Sequence, residues 1–143
     1  MTKLAQLKAK RDSLNAEMLA ASKEAFNETA KSLFEKYLKL ESFSWRQYTP
    51  YFNDGDECTF SAHTDSFDLV WGGKELEDVD EYTFISTYTD EEIKKDVELK
   101  SFTKDIQAMF ENLDDDMLKE MFGDHVKITA KKDEVQIDEY SHD

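Results

Sequence analysis

A chain of 143 residues with 39% hydrophobic and 13% aromatic residues is long enough to bury one core and too apolar to be a disordered acidic tail. Its 18 Lys/Arg against 33 Asp/Glu leave a formal net charge of −15, which argues against nucleic acid and anionic membranes as direct partners. That charge is divided unevenly: residues 1–40 hold eight Lys/Arg and five Asp/Glu, a formal +3, while residues 41–143 hold ten against 28, a formal −18.

Counts of four Gly and one Pro favour long regular elements over a loop-rich sandwich. One cysteine, Cys58, cannot form an internal disulfide, and Met-Thr-Lys leads into a charged amphipathic stretch rather than an apolar leader. Both features fit a reducing intracellular compartment. No run approaches the roughly 18 consecutive apolar residues of a membrane span.

From Thr2 to about Leu40 there is neither Pro nor Gly, and Leu4, Leu7, Leu14, Met18, Ala21 and Ala25 follow a three-four spacing with Arg11 in the remaining slot. The spacing predicts a helix with a coiled-coil stripe. Phe26, Leu33, Phe34, Tyr37 and Leu38 widen the apolar face in its second half. Residues 1–22 are therefore expected to form a projecting or partner-binding helix, with Leu4, Leu7, Leu14 and Met18 as its oligomerisation stripe. Residues 23–143 are expected to form a single α+β domain.

After Glu41 the period changes to two. Phe43, Trp45, Gln47 and Tyr48 predict a strand, and Tyr51 to Asp56 supply a turn rich in residues that tolerate positive φ. The return strand is expected over Cys58 to His63, a second turn at Thr64-Asp65, and a third strand over Phe67 to Trp71 closed by Gly72-Gly73. An acidic connector over Glu75 to Glu81 then leads to a further candidate strand at Tyr82 to Tyr88.

Thr89-Asp90-Glu91-Glu92 has the spacing of a capping box, which predicts a helix start. Ile93, Val97, Phe102, Ile106, Met109, Phe110 and Leu113 continue that helix at helical spacing. Asp114, Asp115 and Asp116 open a shorter one that Gly123 is placed to end, and Val126, Ile128 and Ala130 with Val135 and Ile137 predict a final hairpin. The fold class is thus α+β: a long N-terminal helix, an antiparallel sheet of about five or six strands, and helices near 90–122 packed on one face.

Candidate chemistry is sparse. Asn53, Asp54, Asp56 and Glu57 crowd oxygen ligands near a turn, but the spacing departs from a calcium-binding helix-loop-helix and suits Asp side chains bonding their own backbone. His63, His125 and His142 are scattered, Cys58 and His63 make one irregular pair, and neither a nucleophile elbow nor a glycine-rich phosphate cradle is present. What remains is acid in clusters: Glu75, Glu77, Asp78, Asp80 and Glu81; Asp90, Glu91, Glu92 and Asp96; Asp114, Asp115 and Asp116. Such carboxylates on a rigid scaffold can occupy a groove built for nucleic acid, or can simply keep an aromatic-rich protein in solution.

The string Trp45-Arg46-Gln47-Tyr48-Thr49-Pro50-Tyr51-Phe52-Asn53-Asp54-Gly55-Asp56, followed by Cys58 and Phe60, covers roughly a tenth of the chain. It resembles a motif of uncharacterised small proteins from tailed bacteriophages and some bacteria. The resemblance implies a phage-encoded protein made in the cytoplasm of a bacterial host, a setting in which small acidic proteins often inhibit host nucleic-acid enzymes or defence systems. It brings no assigned activity and no catalytic residues. Trp45, Tyr48, Tyr51 and Phe52 are read as aromatics that pin the register of the hairpin carrying Asn53, Asp54 and Asp56.

Together these features predict a non-enzymatic interaction protein that inhibits a basic or nucleic-acid-binding host protein through its acidic face, in the manner of a DNA mimic. It is expected to bind no nucleic acid or membrane directly, to need no cofactor or metal, and to homo-oligomerise, if at all, through the N-terminal helix. The alternative is a virion structural or assembly component oligomerising through that helix. A third reading is a metal-dependent hydrolase built on Asp54, Asp56 and His63.

Overall fold

The computed structural model describes residues 2–50, 59–80, 91 and 95–140. Helix α1 (Lys3–Lys36) is followed by strands β1 (Leu40–Tyr48), β2 (Ser61–Trp71) and β3 (Lys74–Val79). Helices α2 (Val97–Glu111) and α3 (Asp115–Phe122) then lead to strands β4 (Val126–Lys131) and β5 (Val135–Glu139). The strands form one antiparallel sheet in the order β3-β2-β1-β4-β5, so β1 is central. The α+β class, the long N-terminal helix and the five-stranded sheet agree with the expectation drawn from periodicity. Among the described residues, no helix is long and apolar enough to cross a membrane.

The alternation of β1 organises the core. Phe43, Trp45 and Gln47 are buried on the face that the helices cover, and the neighbouring strands add Phe67, Leu69, Trp71, Ile128 and Ala130 to the same core. Aromatic rings from the helices close on this layer: Phe26 of α1 meets Trp45 at 5.8 Å and Phe122 at 5.2 Å, and Phe110 of α2 meets Trp45 at 4.8 Å. These edge-to-face contacts each add to the area term and fix ring orientation. Helix α2 presents Leu99, Phe102, Ile106 and Phe110 at three- and four-residue intervals, the spacing that keeps one stripe against a sheet.

Within this apolar layer Gln47 is fully buried and fully engaged. Its Nε2 donates to Leu118 O at 2.9 Å and Gly123 O at 2.7 Å, while its Oε1 accepts from Trp45 Nε1 at 3.0 Å. One side chain thereby ties the central strand to the end of α3. Gly123 takes φ 101 there, a conformation costly for residues with a Cβ.

Several sequence expectations need correction. The turn predicted at Thr64-Asp65 is a bulge inside β2, where Trp45 alone on β1 faces Thr64, Asp65, Ser66 and Phe67, so the return strand and the third strand are one element. The acidic connector over Glu75 to Glu81 is largely strand β3, which pairs with β2 through a two-residue turn at Gly72-Gly73 with both φ positive. Glu91 and Lys95 are helical, as the Thr89 box predicts, but the run breaks at Asp96, which N-caps α2 by accepting from Leu99 N at 3.0 Å. The predicted strand at Tyr82 to Tyr88 and most of that box lie outside the described residues. Asp114 and Gly123 bound α3, and β4 and β5 form a hairpin, where the residue types placed them.

Two carboxylates act as clamps, Asp105 between α2 and the end of α1 and Asp124 between the end of α3 and the residue after β1. Tyr37 donates to Asp105, Lys36 Nζ lies 2.9 Å from the same carboxylate, and Ser101 completes the cluster 2.8 Å from the Tyr37 hydroxyl. These bonds, that of Tyr37 foremost, hold the Asp105 carboxyl below its ordinary value. For Asp124, burial pushes the carboxyl up, but bonds from Thr49 Oγ1 at 2.7 Å, Thr49 N at 2.9 Å and His125 N at 2.8 Å outweigh it and leave the group depressed.

Replacing Gln47 by Leu is expected to destabilise the fold by about 2–4 kcal/mol, because it strands the Trp45 N–H and the Gly123 carbonyl in the core; urea unfolding of the two proteins measures this. A folded carboxyl with a depressed pKa contributes stability that is full above the unfolded value near 4 and disappears as pH falls through the folded value. Asp105→Asn combined with Asp124→Asn should therefore lower the melting temperature at pH 7 and flatten its decline below about pH 4.

Candidate functional site

Because α1, α2 and α3 all pack on one face, the other face of the sheet carries the polar half of the alternation. Ser42, Ser44, Arg46 and Tyr48 of β1 are opposed there by Lys131, Thr129 and Lys127 of β4 and by Val70, Asp68 and His63 of β2. Asp68 is the hub. Its carboxylate lies 2.9 Å from Arg46 Nη2 and 3.8 Å from Lys127 Nζ, and it accepts from Asp78 N at 3.1 Å.

Beside this hub the rings of Tyr48 and His63 stack at 4.5 Å, Tyr140 lies 5.6 Å from Tyr48, and the Arg46 guanidinium sits 5.5 Å from the Tyr140 ring. Burial, with Tyr140 adding to it, pushes the Tyr48 hydroxyl above its ordinary pKa, so it stays a neutral donor at physiological pH. The β2 bulge brings Asp65 and Ser66 to the rim, and the whole encloses a recess of roughly 280 Å³. The single Asp68 carboxylate faces two cations, Arg46 and Lys127, whereas the rim carries Asp65 and Asp78.

The first of the acidic clusters predicted from sequence forms one flank of this face. Glu75 and Glu77 border the same sheet face with Ser42, Ser44 and Thr129, and Asp78 joins Asp65 at the rim of the recess. Asp80 follows β3 and is half-buried. Over residues 59–80 six acids stand against Lys74. The flank continues past the bulge toward α3, because Asp115 accepts from Ala62 N at 3.3 Å near the start of β2. From that point to the end of β2 the flank runs beside Gln47 to Leu40 of β1, about 23 Å.

Other predicted partner-binding acids have structural work. Asp96 caps α2 and accepts from Trp71 Nε1 at 3.0 Å, with Lys39 Nζ 3.9 Å away. Asp114 caps α3 through Met117 N at 2.8 Å. Asp116 and Glu91 are exposed, and Glu81, Asp90 and Glu92 lie outside the described residues.

Of the motif hairpin, Trp45 is in the core and Tyr48 is on the recess, while Tyr51, Phe52, Asn53, Asp54 and Asp56 lie outside the described residues. The string nonetheless explains much of β1: Trp45 packs, Arg46 holds Asp68, Gln47 anchors α3, Tyr48 stacks, and Thr49 holds Asp124. Leu4, Leu7, Leu14 and Met18 are all exposed along α1. Among the described residues, no three or more His, Cys, Asp or Glu converge as metal ligands do, and His63 of the hydrolase reading stacks on Tyr48.

Asp68, Lys127 and Tyr140 were not singled out from sequence. Strict alternation in β1 is the signal that pairs Arg46 with some neighbour, but which one depends on a bulge that the sequence disguises as a turn.

Comparison with protein-family models, with curated proteins and with solved structures found no match to this chain.

A double-mutant cycle on Arg46→Ala and Asp68→Ala should return a coupling of about 1 kcal/mol that shrinks in high salt, since both groups are only partly buried and Lys127 shares the carboxylate. Thermal unfolding of the four proteins at two salt concentrations measures it.

Proposed function

We propose that the chain is a non-enzymatic binding protein that holds a basic, nucleic-acid-binding protein against the acidic flank of its polar sheet face. The observation that carries this reading is the grouping of Asp65, Glu75, Glu77 and Asp78 along one side of that face, with Lys74 the one Lys/Arg among residues 59–80. Glu75 and Glu77, two residues apart on β3, advance about 6.7 Å, close to the rise of two nucleotides along the axis of a duplex. Carboxylates at that spacing suit a groove built for a phosphate backbone.

The recess adds specificity to charge. An incoming Lys or Arg side chain meets Asp65 and Asp78 at the rim, beside the wall formed by Tyr48 and Tyr140. Arg46 and Lys127 are held by Asp68 and so do not repel it at full strength. In the phage setting implied by the Trp45 to Asp56 string, the bound protein is a host enzyme or defence factor kept away from its nucleic acid. The exposed acids also keep the β3 edge from pairing with other strands, a function that needs no partner.

The test uses the purified chain, purified basic DNA-binding proteins and competing duplex DNA. Binding should weaken at least tenfold between about 50 and 300 mM salt, DNA should displace the chain, and Glu75→Lys/Glu77→Lys should bind at least tenfold more weakly with an unchanged melting temperature. Binding that is indifferent to salt, or equal in the double variant, removes the flank as the site.

A further inference from the structure

Helix α1 bears two apolar stripes. The C-terminal one, including Phe26, Ala30, Leu33 and Phe34, is buried in the core. The N-terminal one is not: Leu4, Leu7, Leu14 and Met18 are 79%, 55%, 51% and 61% exposed. At roughly 100° per residue the two stripes lie about a quarter-turn apart around the axis. The body therefore cannot cover the first stripe while it holds the second.

Positions 4, 7, 11, 14, 18, 21 and 25 alternate steps of three and four without a break, the 3.5-residue period of a coiled-coil seam. Charge is also ordered along the helix. Lys3, Lys8, Lys10 and Arg11 crowd its start, where the first turn contains no acid and Asp12 lies beside Arg11; Glu17, Glu24 and Glu28 follow, with Lys23 among them. Cations at a helix N-terminus oppose its dipole, and an exposed helical half of this length is marginal without packing. Among the described residues, Leu4, Leu7, Leu14 and Met18 of this half stay exposed, and of its cations Arg11 has the neighbouring Asp12 at 3.5 Å.

We propose that the partner of this half is α1 of a second copy, paired antiparallel across residues 3–24. The seam positions then match without slippage: Leu4 meets the partner's Ala21, Leu7 the partner's Met18, and Arg11 the partner's Leu14. Flanking the seam, Lys3 meets the partner's Glu24 and Lys10 the partner's Glu17, and the two-fold axis repeats both pairs. A parallel pair sets Arg11 against Arg11 in the seam and Lys3 against Lys8 beside it, like charges in each case. The pattern thus selects orientation as well as partner.

Antiparallel pairing centred between residues 12 and 13 sets the two copies of Phe26 about 40 Å apart, with one α+β body at each end of a rod. The assembly displays the acidic flank twice, which raises apparent affinity for any partner with two sites. The pairing itself does not rest on what the flank binds.

Sedimentation of the full chain from roughly 1 to 100 µM tests the pairing by mass action. The expected result is a monomer–dimer equilibrium reaching twice the 16.7 kDa chain mass. Lys3→Glu/Lys10→Glu and Glu17→Lys/Glu24→Lys should each self-associate at least tenfold more weakly, since each turns the flanking pairs into like charges. Mixed in equal amounts, the two variants should form a heterodimer at least as tight as the wild-type dimer, because every flanking pair is then opposite in sign. A wild-type chain that stays monomeric, a mass above the dimer, tighter self-association of Lys3→Glu/Lys10→Glu, or a mixture that fails to associate would each overturn the proposal.

Discussion

The alternation of β1 is the constraint on which both faces of the molecule depend. As the central strand it has partners on both sides, so its register is transmitted to β2 and β4. A one-residue slip would send Phe43, Trp45 and Gln47 to the polar face and bring Arg46 and Tyr48 into the core. Gln47 opposes that slip by chemistry as well as by packing: its amide fits only where Leu118 O, Gly123 O and Trp45 Nε1 converge. Strand, α3 and the glycine that ends it are therefore specified together.

The one-sided architecture follows from chain path. Strand β3 lies at one edge of the sheet and β4 on the far side of β1, and the segment between them contains α2 and α3. Laid across the same face as α1, these helices bury the aromatic layer and leave the opposite face to Arg46, Asp68, Lys127 and the tyrosines. Cations occupy the middle of that face and acids its β3 flank. The polar sheet face is in this sense what the described helices do not cover.

Much of the fold was legible in the residues. The helical stripe of α1, the Asp114 to Gly123 helix and the β4–β5 hairpin each have a period and a terminator close together in sequence, and each stands where those signals put it. The errors share a cause. Thr64-Asp65 has turn chemistry, yet β1 pairs with the chain on both sides of it, through His63 and Asp68, so tertiary pairing converts a turn into a bulge. Lys74 to Val79 has too many acids for a buried strand, but as an edge strand it exposes them and needs only Val79 buried, with Leu76 half-buried.

Composition and periodicity by themselves determined that this is an α+β protein with one aromatic core, an acidic body and a helix whose first half has a seam of its own, because these properties depend on residues near one another in the chain. Only the tertiary structure decided which carboxylates are spent on caps and clamps, as Asp96, Asp105, Asp114 and Asp124 are, and which stay exposed on one flank, as Glu75, Glu77 and Asp78 do. The reason is physical: a carboxylate's role depends on which donors reach it, and donors such as Trp71, Tyr37 and Thr49 come from parts of the chain that meet only when the sheet closes under its helices.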